Sequence, residues 1–417
     1  MITLTYEYKL KPNQQQAKQI DHDLAICRQV WNYALKERKD WIASRKSPVN
    51  ACALQKEYII PVDAPYPGFK EQCQRLTAAK KTNSELASVN AQALQQVLKR
   101  LDQAFDRRRK LGAGFPRFKK PNRMRSMVFP QLGKSPLGEG AVKLPSFDWM
   151  SIHQSRPYPE GFTVKQARVV KRASGYYVML IFQAKDVAIP EAPLRGHGVG
   201  VDVGLEYFLS TSDGLQVKRP KFFVEMQRQL KLLQRRLKRK QIGSNNWRKV
   251  QHKVARLYER IANTRKDFHF KTAHQLCDGA DVIVVEDLNL IGLSRGMLGK
   301  HMLDAGHGQF LNAVLPWVAS KRGKAVVKES AAGTSQECPG CGVKVRKTLS
   351  TRWHDCDCGC SMPRDIASGL VLVNRYLSRG AHGSQNAPGE VLAGNVLHSS
   401  QDSVNGESPA RREALAG

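Results

Sequence analysis

Residues 1–10, MITLTYEYKL, alternate apolar and polar side chains and read as a strand that Lys11-Pro12-Asn13 breaks. Ile20, Leu24, Cys27, Trp31 and Leu35 then recur at helical spacing and predict one long amphipathic helix. The pattern lapses over 44–83, where prolines stand at 48, 61, 65 and 67, and this stretch reads as irregular. A second helix shows in Val89, Ala93, Val97 and Leu101, with Leu94, Leu98 and Phe105 beside them. It ends in Asp106-Arg107-Arg108-Arg109-Lys110, and Gly112 and Gly114 close it. From Phe115 to about Ile189 come short strands separated by Pro and Gly, at 141–144, 161–164 and 175–182. They predict a small β-barrel or sandwich that the N-terminal strand completes.

Ile189-Pro-Glu-Ala-Pro-Leu-Arg-Gly196 has the composition of a linker. Strands and helices alternate over 197–380, an α/β pattern. Inside it, Leu230, Leu233 and Leu237 form one apolar stripe and Val250, Val254, Leu257 and Ile261 another, with Gly243-Ser244-Asn245 between them. That is an αα-hairpin over 221–266. Residues 381–417 are rich in Gly, Ser and Asn, without a period, and are expected to be disordered. No internal repeat is evident.

Charge sharpens this picture. The 417 residues carry 67 Lys+Arg against 36 Asp+Glu, a formal net charge of +31. Self-repulsion on that scale destabilises a compact chain unless a polyanion neutralises it, and nucleic acid is the simplest partner. A ribosomal or membrane-surface protein is the plainer alternative. The 221–266 hairpin alone holds fifteen Lys/Arg against two acidic residues, too one-sided for salt-bridge patterning. No apolar run is long enough to span a bilayer, and residues 1–10 lack the features of a signal peptide. A cytoplasmic, nucleoid-associated protein is expected, in a compartment where thiols stay reduced and clustered cysteines bind metal.

Five of the nine cysteines crowd into CPGCGVKVRKTLSTRWHDCDCGC, from Cys338 to Cys360. Cys338 and Cys341 have C-x-x-C spacing with glycine after the second ligand, as in a zinc knuckle. Cys356-Asp-Cys358-Gly-Cys360 offers three thiols for two positions. The Cys-Gly step at 358–359 repeats that at 341–342 and favours Cys356 and Cys358, with Cys360 as the alternative and His354 a weaker one. Five unligated thiols would oxidise. Cys27, Cys52, Cys73 and Cys277 read as core or incidental.

Three carboxylates stand out. Asp202 interrupts the apolar, glycine-flanked strand Gly198-Val-Gly-Val-Asp202-Val-Gly204, and Asp213-Gly214 supplies the turn of a following hairpin. Asp281-Val-Ile-Val-Val-Glu286-Asp287 ends an apolar strand in an acidic pair, where open α/β sheets present ligands. Glu286 is the better metal ligand of the two and Asp287 the better helix cap. Asp365 opens a late helix whose apolar face reads Ile366, Leu370, Leu372 and Val373; each of these acids alone could be structural. Their order describes the RNase H-like nuclease fold, whose acids hold two Mg²⁺ roughly 3.5–4 Å apart for phosphodiester hydrolysis. Acids grouped in so basic a chain also need a cation between them and phosphate.

Gly198–Gly204, Val284-Val-Glu286-Asp-Leu-Asn289, Thr334-Ser-Gln-Glu-Cys338-Pro-Gly-Cys341-Gly342 and Arg364-Asp365 stand in the order found in TnpB proteins. Tyr8-Lys-Leu-Lys-Pro12, the 95–105 helix and Gly114-Phe-Pro-Arg-Phe-Lys-Lys120 fit as well. The sequence thus resembles the TnpB family of transposon-encoded, RuvC-like nucleases, related to type V CRISPR effectors, over residues 1–378.

The resemblance implies a multi-domain α+β protein: a helical recognition domain (11–112), a wedge β-barrel (113–190, with strand 1–10), and an RNase H-like (RuvC) α/β nuclease domain. The nuclease would span 191–333 and 363–380, with zinc-binding knuckles inserted at 334–362, just before its last acid. It implies a guide RNA from the transposon end, a double-stranded DNA target read beside a short adjacent motif, catalysis by Asp202, Glu286 and Asp365 with two Mg²⁺, and one Zn²⁺. Arg107, Arg108, Arg109, Lys119, Lys120, Arg235, Arg236 and Lys240 are the candidate phosphate contacts. A compact type V CRISPR effector and a guided repressor without cleavage are the rival readings. Oligomeric state is left open.

Overall fold

The computed structural model describes residues 2–46, 60–61, 63–184, 196–348 and 350–381. Cys52, linker residues 189–195 and the expected tail beyond Ala381 lie outside the described residues. The chain forms two compact units, Met1–Val187 and Ala188–Gly417.

In the first unit β1 (Ile2–Lys11) leads into α1 (Gln14–Ser44). Asn13 and Gln16 form a capping box there, which satisfies two of the helix's open N–H groups. The Gln16 amide also donates to the carbonyls of Phe147 (3.3 Å) and Trp149 (3.1 Å), so the cap holds part of the sheet as well. The predicted stripe Ile20, Leu24, Cys27, Trp31, Leu35 is buried throughout. α2 (Phe69–Thr82) occupies part of the stretch expected to be irregular. It buries only Gln72 and Leu76, too sparse a stripe to read. Gln72 instead bonds Arg38 (3.1 Å), a fully buried arginine that also pairs with Asp102 at 2.9 Å. α3 (Ser84–Ser88) and α4 (Ala91–Leu111) follow, with Gly112 in the left-handed conformation ending α4.

Six further strands join β1: β2 (Ser126–Phe129), β3 (Leu137–Gly138), β4 (Ala141–Leu144), β5 (Asp148–His153), β6 (Thr163–Arg172) and β7 (Gly175–Ala184). They make one antiparallel sheet in the order β2-β6-β7-β1-β5-β4-β3. Among the described residues no ladder joins β2 to β3, so of the expected barrel or sandwich this is one sheet with two edges. Sheet and helices share a single core, with Tyr8, Phe129 and Phe182 beside Leu35, Leu94 and Leu101.

The second unit is built on β8 (Gly198–Asp202), β9 (Tyr207–Thr211), β10 (Gln216–Lys218), α5 (Phe222–Lys238), α6 (Asn245–Gly279) and β11 (Val282–Asp287). There follow α7 (Leu290–Arg295), α8 (Gly299–Ala305), α9 (His307–Gln309), a π-helical turn (Phe310–Val314), α10 (Leu315–Lys321), β12 (Ala325–Ser330), the short hairpin β13 (Trp353–Asp355) and β14 (Ser361–Pro363), and α11 (Arg364–Ala381). The main sheet has the order β10-β9-β8-β11-β12. β8, β11 and β12 are parallel, and β9 runs against both its neighbours. The turn before β10 uses Gly214 at φ +86°, as the Asp-Gly signal predicts. α5 and α6 are the expected basic hairpin, packed through Leu230, Leu257 and Ile261. α6 runs past residue 266, and its last turns, with Ala273, Leu276 and Cys277, enter the core of this unit.

Period-two alternation decides what each face of this sheet carries. Val199, Val201, Ile283 and Val285 face α6 and α10. Val282, Val284 and Val327 face the other way, onto Leu372 of α11. Gly200, Asp202 and Glu286 alternate onto that same α11 face.

Candidate functional site

Asp202 ends β8 and Glu286 lies near the end of β11. The parallel register pairs Val284 with Gly200 and Val285 with Val201, so its next step sets Glu286 beside Asp202. Asp365 stands in the first turn of α11, which packs on both strands. That packing depends on small residues. A β-carbon on Gly200 would lie 1.8 Å from the Gly369 carbonyl oxygen, so only two glycines allow the helix so close. The buried face of α11 is therefore Ala367, Ser368, Gly369, Val371 and Leu372. Of the expected face Ile366, Leu370, Leu372 and Val373, only Leu372 is fully buried and the other three are half-buried, because backbone contact rather than apolar bulk sets the orientation.

The three carboxylates feel one another. Burial, then the charges of Glu286 and Asp365, push Asp202 well above the usual carboxylate range, with Arg364 and the Ser368 hydroxyl opposing. Burial also raises Glu286, and Asp365 adds to it. The Thr334 hydroxyl and the charge of Arg375 oppose that shift. Like charges held this close favour a multivalent cation between them. Glu286 is 8% exposed and accepts a 2.6 Å hydrogen bond from Thr334 Oγ1. Asp287 points the other way and is exposed, 3.5 Å from Lys328. It is not the cap of α7; Asn289 is, its side chain accepting from the Gly292 N–H at 3.0 Å. The reason is spacing, since two residues separate Asp287 from the helix start.

Between β12 and α11 the thiols of Cys338, Cys341, Cys356 and Cys358 all lie within 4.8 Å of one another. Cys338–Cys358 and Cys341–Cys356 are each 3.6 Å apart. Tetrahedral zinc with Zn–S near 2.3 Å needs sulfurs about 3.8 Å apart, so the four fit the ion. Gly342 and Gly359, each following a cysteine of this cluster, adopt positive φ (+75° and +86°), which makes its two halves alike. Burial alone would raise the Cys338 thiol, but backbone N–H groups of Cys341 and Gly340, with His354 and Cys358, lower it to about 5. Cys360 falls in a second, three-donor grouping with Cys338 and His354. Cys27 and Cys277 are buried and Cys73 half-buried, and none of them belongs to either grouping.

Of the candidate phosphate contacts, Arg108, Arg109, Lys120, Arg235, Arg236 and Lys240 are exposed, and Arg107 and Lys119 half-buried. Lys119 is tied down: its backbone N–H donates to the Asn32 side chain (2.8 Å) and its ammonium lies over Trp31 at 4.5 Å. Thr334, Ser368, Gly369 and Arg375 were not singled out from the sequence for roles here. Thr334 had a signal, standing just before the first cysteine.

Three family models match in sequence: one described as a probable transposase over residues 182–296, a helix-turn-helix domain over 1–47, and a Cas12f1-like TNB domain over 307–372. The described part of 1–47 is a strand and a single helix, so that second label does not describe its shape here. A putative RNA-guided DNA endonuclease of Streptomyces pristinaespiralis is 27% identical over 395 residues, covering 93% of this chain and 92% of the relative. The putative RNA-guided DNA endonuclease InsQ of Escherichia coli K12 is 29% identical over 353 residues, covering 81% and 83%. In sequence the chain resembles the TnpB family. Its fold is similar to that of a Cas12f1–sgRNA–target DNA complex, with TM-score 0.53 and 13% identity over 86% of this chain and 83% of that one. The fold is that of a mixed α/β protein. Among the described residues no helix is long and apolar enough to cross a membrane.

Proposed function

We propose that the protein is an RNA-guided DNA endonuclease, and that Asp202, Glu286 and Asp365 form its cleavage centre. The convergence of these three acids beneath α11 carries the reading. The sheet order, with only β9 reversed, supports an RNase H-like nuclease domain. The acids would hold Mg²⁺, which when bound supplies an activated water and stabilises the leaving oxygen of a phosphodiester.

The chain's own residues prepare the site. β8 and β11 hold two carboxylates at a fixed strand spacing, and the Gly200–Gly369 contact fixes the third against them. Thr334 and Arg375 favour the ionised form of Glu286, the form that binds a cation. A guide RNA would read sequence by base pairing while basic side chains, the α5–α6 hairpin among them, hold the heteroduplex backbone. Cys338, Cys341, Cys356 and Cys358 would hold one structural Zn²⁺, and Cys360 would stand outside the set. The described parts of 11–112, 113–190 and 334–362 would serve as recognition, wedge and zinc segments, in a nucleoid-associated protein.

The test sets cleavage against binding, on protein carrying its co-purifying RNA and a matched DNA target. Asp202→Ala, Glu286→Ala and Asp365→Ala should each abolish cleavage and leave guided binding almost intact. Asp287→Ala, removing an exposed ion pair worth at most about 1 kcal/mol, should cut normally. Full cleavage by the Asp202 variant would sink the assignment.

A further inference from the structure

The zinc knuckles sit between β12 and α11, and the chain that enters them passes the central acid. Thr334 is four residues before Cys338, is 3% exposed, and places its hydroxyl 2.6 Å from Glu286 Oε1. That length belongs to a charge-assisted O–H···O⁻ bond. The same hydroxyl is 3.2 Å from the Ala331 carbonyl. It has one hydrogen, and the shorter contact takes it when the acid is ionised.

What fixes Thr334 is the knuckle itself and α11. Gln336 and Glu337 N–H both donate to the Gly333 carbonyl (2.9 Å each), forming a tight turn around Thr334. Cys338 N–H then donates to Val343 O, closing the first half-site (2.9 Å). From the other side Arg375 of α11 donates to Ser330 O (2.8 Å) and Ala332 O (2.9 Å), and pairs with Glu337. The turn therefore has one end on the zinc ligands and the other on the helix that carries Asp365.

We propose that Thr334 is a positioning residue for Glu286, through which the zinc-bearing segment sets the orientation of the middle acid. The inference rests on the nuclease reading above. Ligating carboxylates need a hydrogen-bond partner to hold one rotamer, and loss of such a partner typically costs about 10–100-fold in metal affinity. Thr334 is such a partner, buried and aimed at Glu286. The knuckles would thus bracket the centre: Thr334 upstream holds Glu286, and Arg364-Asp365 downstream follows directly from β14.

Thr334→Val keeps the shape and removes the donor; Thr334→Ser restores it. With the full chain and its co-purifying RNA, Mn²⁺ binding is followed by electron paramagnetic resonance and cleavage by its Mg²⁺ requirement. The Val variant should weaken Mn²⁺ binding and raise the Mg²⁺ requirement about 10–100-fold, with zinc content and melting temperature unchanged. The Ser variant should return to near wild type. Wild-type metal binding by the Val variant overturns the proposal. So does loss of zinc or early melting in that variant, since Thr334 would then act on the fold. Glu286→Gln, run alongside, separates the two ideas. If it cuts at the wild-type rate, the acid assignment falls; if it is dead while Thr334→Val is normal, only the positioning role falls.

Discussion

Gly200 and Gly369 meet backbone to backbone, and each lies one structural step from an acid. Gly200 is two residues before Asp202 on the same face of β8; Gly369 is one helical turn after Asp365 on α11. The contact is a spacer of zero thickness, and it sets how far apart the two carboxylates stand.

Gly200→Ala should therefore be severe. Its methyl group would overlap the Gly369 carbonyl, and α11 would have to lift, at a cost of about 3 kcal/mol or more. Cleavage should fall below detection. Gly198→Ala is the control: its β-carbon would meet only Val373 at 3.9 Å. That variant should cut and melt like wild type. Denaturant unfolding and a cleavage assay on both variants check this pair.

Zinc content tests the thiol cluster. Native protein should retain about one Zn per chain, and Cys338→Ser should lose it along with much of its resistance to unfolding. Cys360→Ser should keep the ion. Elemental analysis showing the reverse, zinc lost with Cys360 and kept without Cys358, would exchange the two cysteines' roles.

Salt tests the basic hairpin. Affinity for guide RNA should fall steeply as salt rises. Reversing Arg235, Arg236 and Lys240 to Glu should weaken binding and flatten the log–log slope by about 0.7 for each phosphate no longer neutralised. Filter binding across a salt series reads both effects, and an unchanged slope would remove the hairpin from the RNA interface.

Acid should loosen the second unit through two histidines. Phe208 is stacked between His269 (5.3 Å) and His307 (4.8 Å), whose Nε2 atoms meet the carbonyls of Ala305 and Phe208. Burial lowers both from 6.5 to about 4, with the charges of Arg265 and Arg219 respectively also lowering them. The unfolded chain takes up these protons first. Stability should fall as pH drops below 6.5 and level off near 4, by roughly 3 kcal/mol per histidine. Zinc release on acidification adds to this in every variant, so the readout is a difference. His307→Phe should show a shallower loss of stability between pH 7 and 5 than wild type, measured by denaturant unfolding.

The large periodic elements were open to reading from sequence because periodicity reports burial directly. The stripe of α1, the apolar strands β8 and β11 and the leucines of the hairpin all follow from it. Asp202 and Glu286 stood out because a carboxylate in an apolar strand contradicts its surroundings, and Asp365 only through its order after them. What escaped detection was held by contacts without a period. α2 rests on Gln72 and Leu76, and α7 is capped by Asn289 rather than the more conspicuous Asp287. The face of α11 was read only in part, through Leu372, because a glycine carries no hydrophobic signal, although here Gly369 meets Gly200 backbone to backbone. Thr334 is polar and buried for one long-range bond to Glu286, and its place just before the first cysteine was its one signal.

The late position of α11 has a consequence for how the chain is made. A nascent polypeptide stalled on the ribosome before residue 364 already has the sequence of β8, β11 and the basic helices. It carries two of the three acids, and nothing yet presses on Gly200. Only when α11 emerges does the third carboxylate reach its place. On the proposed reading, a chain that stops short of α11 would lack its third acid and so would not cut.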